Sequence, residues 1–158
     1  MTQRVELATV MDRLAIDAVI TGYAVAVDDA DWTAYQDLFT PDGRADYRSA
    51  GGIEGPAREV AGWLAEMLLL FPVRQHLIVN RRLELEDLNG DTGDSAELQA
   101  DYLNPMRLES AGGTNGAAGP PNFITGGRYT FGLVRSDDGS WRVRRVTVHE
   151  KWRHTGRD

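Results

Sequence analysis

The sequence predicts an α+β fold in which about three N-terminal helices pack over the concave face of a curved, mixed but mainly antiparallel β-sheet and enclose a pocket. Two observations carry that expectation. Apolar residues recur with a period near 3.6 as far as Phe71, then with a period near 2 from Arg74 onward. The helical segments also come first and the strands follow in one run, which is the order of helices laid on a single sheet rather than of alternating βα units. The 158 residues suit one domain, residues 1–158, with no internal repeat and no linker-like stretch.

Each element has its own justification. A first helix is expected over residues 8 to 28, because Ile16, Ile20, Tyr23 and Val27 fall at the four-three-four spacing of one face. Asp31 is placed to cap a short second helix through Trp32, Tyr35, Leu38 and Phe39, which Pro41-Asp42-Gly43 ends as a turn. Arg44 to Ser49 reads as a short strand. Pro56 suits a first helical position, and Val60, Trp63, Leu64, Met67 and Leu68 form a third helix ending near Phe71-Pro72. Leu77, Val79, Leu83 and Leu85 alternate with His76, Ile78, Asn80, Arg82 and Glu84, so His76 opens a central strand, and Asn89-Gly90-Asp91 supplies the turn after it. The next strand puts Ala96, Leu98, Ala100, Tyr102, Asn104 and Met106 on one face. Phe123 to Arg135 and Trp141 to Trp152 form a hairpin around Asp137-Asp138-Gly139-Ser140. Trp141 and Val143 have one parity and Val146 and Val148 the other, which predicts a β-bulge at Arg144-Arg145. The segment Glu109 to Asn122, rich in Gly, Ala, Pro and Asn, reads as a mobile lid or as a plain surface insertion.

Composition narrows the function by exclusion. The longest apolar run, Met67 to Phe71, is far short of a membrane span, and the first residues lack the apolar core of a secretion signal, so a cytoplasmic protein with no membrane partner is expected. The absence of cysteine excludes disulfides and thiolate chemistry. A net charge of −7 opposes binding to a phosphate backbone, and Arg142, Arg144, Arg145, Lys151 and Arg153 read as a solvated strand face rather than a nucleic-acid footprint. His149 and His154 with Glu150 lack a third ligand and helical His spacing, so no metal site is expected. Gly51-Gly52 and Gly112-Gly113 have no phosphate-loop context, Ser49 has no nucleophile-elbow context, and no dinucleotide fingerprint occurs. No cofactor is therefore expected.

Three islands remain that can carry chemistry: Val27-Asp28-Asp29-Ala30-Asp31-Trp32, Asp46-Tyr47-Arg48-Ser49 and Arg74-Gln75-His76. Asp28 ends the amphipathic helix and His76 opens a strand, so the two can meet between the layers. An imidazole oriented by a carboxylate can move a proton near pH 7, and tyrosine hydroxyls such as those of Tyr23 and Tyr47 can hold or protonate a substrate oxygen. The residues alone equally allow a structural hydrogen bond and two core tyrosines. Asp29 and Asp31 are accounted for as helix-terminus and capping residues.

The element order and these islands resemble the nuclear transport factor 2-like superfamily, and within it the SnoaL-like branch, over residues 8 to 153. Asp28-Asp29-Ala30-Asp31-Trp32, Arg44-Ala45-Asp46-Tyr47-Arg48-Ser49 and Gln75-His76-Leu77-Ile78 look like the corresponding stretches of scytalone dehydratases. The spacing of Tyr23, Asp28, Tyr47 and His76 is also similar to that of bile-acid 7α-dehydratases, and the Asp28–His76 placement to that of γ-hexachlorocyclohexane dehydrochlorinases. The resemblance implies a cone-shaped sheet and a cofactor-independent lyase, most naturally a dehydratase, acting on a small hydrophobic cyclic substrate of polyketide or steroid type. His76 would be its general base, Asp28 the orienting carboxylate, and Tyr47 with Tyr23 the oxygen-holding pair. Asn104 stands where scytalone dehydratases carry a second histidine, Arg128 and Thr130 where they carry a serine and an asparagine, and Val27 where they carry a tyrosine. Asn104, Arg128, Thr130, Asn80, Trp63 and Tyr102 are accordingly expected to bind substrate. The same dyad also suits an isomerase or an aldol-type cyclase, and the fold also serves non-catalytic binding or assembly modules. A homo-oligomer, dimer or trimer, is expected because a wide sheet face needs cover.

Overall fold

The structure is a computed structural model that describes residues 2–86, 94–109 and 119–156. Three helices, α1 (Thr2–Asp28), α2 (Trp32–Asp37) and α3 (Ala57–Met67), lie on one side of a seven-stranded sheet. Its strands are β1 (Phe39–Asp46), β2 (Glu54–Pro56), β3 (Val73–Arg74), β4 (Leu77–Glu86), β5 (Ser95–Arg107), β6 (Phe123–Arg135) and β7 (Trp141–Thr155). They run in the order β2-β1-β7-β6-β5-β3, with β4 also paired to β5. Among the described residues only β1 and β7 pair in parallel, so the mixed, mainly antiparallel sheet of the α+β expectation is the one observed. The core fills the space between helices and sheet: Ile16, Ile20 and Tyr23 of α1 and Val60 of α3 meet Phe131, Leu133, Val143 and Val146, all essentially inaccessible.

α1 starts six residues before the expected position; Leu7, Val10, Met11 and Leu14 are exposed, so this part of the helix leaves no periodic signal. Its far end is fixed more tightly. Asp31 N–H bonds Ala26 O at 2.9 Å and Ala30 adopts φ +56°, so the helix closes in a Schellman-type turn with alanine in the left-handed position usually held by glycine. That strained turn holds Asp28 as the last helical residue and presents Asp31, whose carboxylate accepts from Ala34 N–H at 3.0 Å, as the cap of α2.

Several sequence expectations are corrected. α2 ends at Asp37, and Phe39 already belongs to β1, which runs through Pro41-Asp42-Gly43 as a register irregularity between Phe39 and Arg44 instead of turning there. Tyr47 lies just beyond β1 rather than within it and opens a 3₁₀ turn over Arg48–Ala50. Pro56 is the residue before the first helical turn of α3, not in it. His76 opens no central strand: it lies in the break between β3 and β4, and those two strands form the sheet edge. In β4 the buried residue is Ile78, while Leu77 and Val79 are exposed. A bulge resets the face: Val79 pairs Asp101 and Arg82 pairs Gln99, so Asn80 and Arg81 stand opposite one residue. Asn80 takes φ +52°, a conformation asparagine tolerates better than most residues, and beyond it Leu83 and Leu85 turn toward the core. The expected turn at Asn89-Gly90-Asp91 and residues 110–118 of the expected lid lie outside the described residues.

The inward face of β5, the Phe123–Arg135 strand and the Asp137–Ser140 hairpin are observed as read. So is the bulge at Arg144: Gly132 pairs Arg145 and Leu133 pairs Val143. A second bulge in β7 carried no sequence signal. Gly126 pairs Trp152 while Gly127 pairs Glu150, which leaves Lys151 extra, turns Trp152 outward and swings Arg153 inward.

Candidate active site

The ends of α1 and α3 and the strands β5 to β7 surround a cavity of about 360 Å³, within the size range of small-molecule sites. Most of its wall is apolar: Val27, Leu64, Met67, Leu68, Phe71, Met106, Phe123 and Val148. The polar groups converge at a few points, and each has a structural cause.

His76 enters the pocket because the edge strand breaks there. Gln75 N–H still bonds Pro105 O at 3.1 Å, but His76 N–H leaves the ladder and donates to Asp28 Oδ2 at 2.8 Å. The other carboxylate oxygen of Asp28 meets His76 Nδ1 at 2.5 Å. One carboxylate thus fixes both backbone and ring, with 7% of the histidine side chain and 18% of the aspartate side chain exposed. The contact places the Nδ1 proton toward Asp28 and leaves Nε2 as the nitrogen not engaged by it. Arg74 locks the surroundings: its guanidinium donates to Val27 O at 3.0 Å and to Phe71 O at 3.0 Å, holding the α1 terminus against the end of the α3 segment and placing a cation at a helix C-terminus.

Tyr23 and Tyr47 meet through their hydroxyls, Tyr35 OH lies 3.3 Å from Tyr47 OH, and the Tyr129 ring packs edge-on against Tyr23 with centroids 5.5 Å apart. Burial, the largest cause, pushes all four phenols well above their ordinary pKa, so they remain protonated donors at neutral pH. Burial also pushes Tyr102 up to about 12, aided by the nearby Glu150 carboxylate and opposed by a hydrogen bond with Thr125. Two glycines make this packing possible. A Cβ on Gly52 would stand 2.5 Å from the Trp63 ring, and one on Gly127 would stand 2.1 Å from His149 O and 2.9 Å from Tyr102 Cε1.

At the other side Glu150, its side chain only 7% exposed, takes a bidentate pair from Arg153 at 2.6 and 2.7 Å. The Lys151 bulge brings these two residues onto the same face. Three outer cations of the basic patch are paired as well: Arg142 with Asp138, Arg145 with Asp46, and Lys151 with Asp101.

The structure brings together Tyr23, Tyr47, His76, Trp63, Tyr102 and Asn104 as lining residues, with Asp28 behind His76. Three expected substrate contacts are corrected. Asn80 sits in the β4 bulge and donates to Asp101 at 3.1 Å on the outer face. Arg128 also pairs with Asp101, at 3.0 Å, and is exposed. Thr130 pairs Gln99 on that same outward parity of β6. The inward residues of β6 are Thr125, Gly127 and Tyr129, a parity that Phe131 and Leu133 mark in the sequence. Sequence reasoning missed Thr125 and Tyr129, which that count would have found, and Glu150 with Arg153, which the unsignalled bulge hid.

The family profile described as "SnoaL-like domain" matches residues 8–147. Uncharacterized proteins of Mycobacterium tuberculosis and Mycobacterium bovis are 33% identical over 141 residues, covering 89% of this chain and 86% of theirs. Among solved structures, a Kribbella flavida protein superposes with a TM-score of 0.75 at 21% identity, covering 92% of this chain and 95% of that one. A hexachlorocyclohexane dehydrochlorinase of Novosphingobium barchaimii gives 0.73 at 18% identity, covering 95% and 93%. A scytalone dehydratase candidate from Novosphingobium aromaticivorans gives 0.72 at 17% identity, covering 100% and 93%. At those identities the solved structures establish the nuclear transport factor 2-like fold alone. The profile match spans most of the chain, and the protein belongs to the SnoaL-like domain family.

Proposed function

We propose that the protein is a cofactor-independent lyase, in its simplest form a dehydratase, for a small hydrophobic cyclic hydroxy ketone. The observation that carries this reading is the Asp28–His76 pair facing an open apolar cavity beside a cluster of protonated tyrosines. His76 Nε2 takes a proton from the carbon next to the carbonyl while Tyr47 and Tyr23 hold the carbonyl oxygen. The C–H electron pair passes through the enolate to form the new C=C bond as the neighbouring C–O bond breaks. The proton gained by the imidazole leaves with the hydroxyl as water. Asp28 holds the ring and balances its charge during the transfer. The apolar wall excludes competing water.

The cavity favours catalysis over a purely structural module, since it is not filled by side chains and His76, backed by Asp28, lines it. An isomerase or an aldol-type cyclase shares the first step, and product mass separates them. Loss of water from a turned-over hydroxy ketone supports the dehydratase, whereas a product of unchanged mass assigns the protein to isomerisation. Turnover undiminished in His76→Ala sinks all three. We further propose a homo-oligomer, because Leu77, Leu103 and Trp152 lie in register across the outer face of the sheet and stay exposed. A monomer by light scattering would refute it.

A further inference from the structure

The pocket has an unsatisfied group directly beside the base. Arg74 pairs Met106 and Leu77 pairs Leu103, so the register across the break in the edge strand puts His76 opposite Asn104. Asn104 in turn pairs Thr125, and Thr125 pairs Arg153. Four adjacent strands therefore carry one polar row, His76, Asn104, Thr125 and Arg153, along the pocket wall. Directly opposed side chains in such a ladder start about 5 Å apart.

Two members of the row have charged or carboxylate partners in the protein: His76 is held by Asp28, and Arg153 is paired with Glu150. Asn104 differs. Its residue is only 6% exposed, its Nδ2 has the weak acceptor Met106 Sδ at 3.3 Å, and its Oδ1 has no hydrogen-bond partner. Turning the amide over would set a carbonyl oxygen against sulfur and orphan the better donor, so the orientation with Oδ1 unpaired is the favoured one. Buried amide oxygens are almost always satisfied, and one that is not calls for a specific reason. A cavity built for ligand supplies it.

We propose that Asn104 Oδ1 is the specificity-determining acceptor for a hydroxyl group of the substrate, placed one strand away from the ring of His76. This rests on the reading of the cavity as the substrate site and narrows the substrate class: the molecule is cyclic, carries a carbonyl for the tyrosines and donates a hydrogen bond from a hydroxyl near the carbon that His76 deprotonates. Asparagine holds that hydroxyl without protonating it.

The test uses two probes of one shape, β-naphthol and β-fluoronaphthalene, with binding to the full chain measured by equilibrium dialysis. The wild type is expected to prefer the naphthol by about tenfold or more, the effect of one good hydrogen bond. Asn104→Leu is expected to bind both probes alike and to melt no lower than wild type, because it removes a buried orphan acceptor. Asn104→Met repeats the measurement with a different apolar fill, in case one variant packs badly. Equal binding or no binding of the probes by the wild type overturns the proposal. A naphthol preference that survives in both variants also overturns it, and its loss in His76→Phe would then place the hydroxyl on the imidazole. Proton-transfer activity is read separately: a protein that selects the naphthol through Asn104 yet moves no substrate proton keeps this site and loses the lyase reading.

Discussion

Asp28→Asn is a change of one atom with a large expected effect. The Asp28 carboxylate serves two nitrogens, the backbone N–H of His76 at 2.8 Å and Nδ1 of its ring at 2.5 Å. An asparagine offers one oxygen and one NH₂. The backbone nitrogen can only donate, so the oxygen stays with it and the NH₂ faces Nδ1. Nδ1 must then accept, and the ring proton moves to Nε2, which blocks the nitrogen aimed into the pocket. Loss of a general base costs about 10²–10⁴-fold, and a wrong tautomer in a serine-protease triad reaches the upper end, so a fall of roughly 10³–10⁴ in proton transfer is expected. Two charge-assisted hydrogen bonds become neutral ones in a largely buried setting, a loss of about 1–2 kcal/mol. For a domain of this size that lowers Tm by roughly 3–6 °C and leaves the protein folded at 25 °C. Imidazole tautomers read by heteronuclear NMR, together with the proton-transfer rate, check both parts. A variant whose ring keeps its proton on Nδ1, or that transfers protons at the wild-type rate, refutes the reasoning.

Two further outcomes follow from the packing. Tyr23, Tyr35, Tyr47 and Tyr129 have pKa values raised by burial, so in the folded protein they keep protons that an unfolded chain releases near pH 10. Their contribution is complete below that pH and is lost above it at about 1.4 kcal/mol per tyrosine per pH unit, or roughly 5–6 kcal/mol for the four at pH 11. Phenolate absorbance and circular dichroism should therefore change in one cooperative step above pH 11, and a gradual titration near pH 10 with the fold intact would contradict this. Gly127→Ala sets a methyl group 2.1 Å from His149 O, and overpacking of that kind costs about 1–3 kcal/mol. Thermal melting should show the loss, and an unchanged Tm would mean that β6 and β7 yield more easily than their pairing suggests.

The parts of this architecture that were legible in the sequence are those where one face is buried along an unbroken element. Ile16, Ile20, Tyr23 and Val27 are all core residues, and the alternating row from Ala96 to Met106 is inward throughout. What misled was the point where the backbone changes face. Leu77 and Val79 look like core residues by composition, yet Asn80 and Arg81 form a bulge after them, and the real inward residue is Ile78. Arg128 and Thr130 have a different cause: the resemblance aligns those positions, while the unbroken parity set by Phe131 and Leu133 points to Tyr129 and Thr125. A bulge at Lys151 needs no special residue, so the Glu150–Arg153 pair at the pocket had no sequence signature. Asp28, His76, Tyr23 and Tyr47 were legible for a different reason: the resemblance named positions that short-range patterns cannot, since 48 residues separate the aspartate from the histidine.

The lyase function requires His76 to act as a base, and that can be tested before the natural substrate is known. Incubating β-tetralone with the protein in D₂O and following its α-proton signals by NMR measures deprotonation alone, without any leaving group. The wild type is expected to exchange those protons well above the buffer rate and His76→Ala to fall back to it while remaining folded. Equal exchange by wild type and His76→Ala, or exchange no faster than buffer with the ketone demonstrably bound in the pocket, would contradict the assignment.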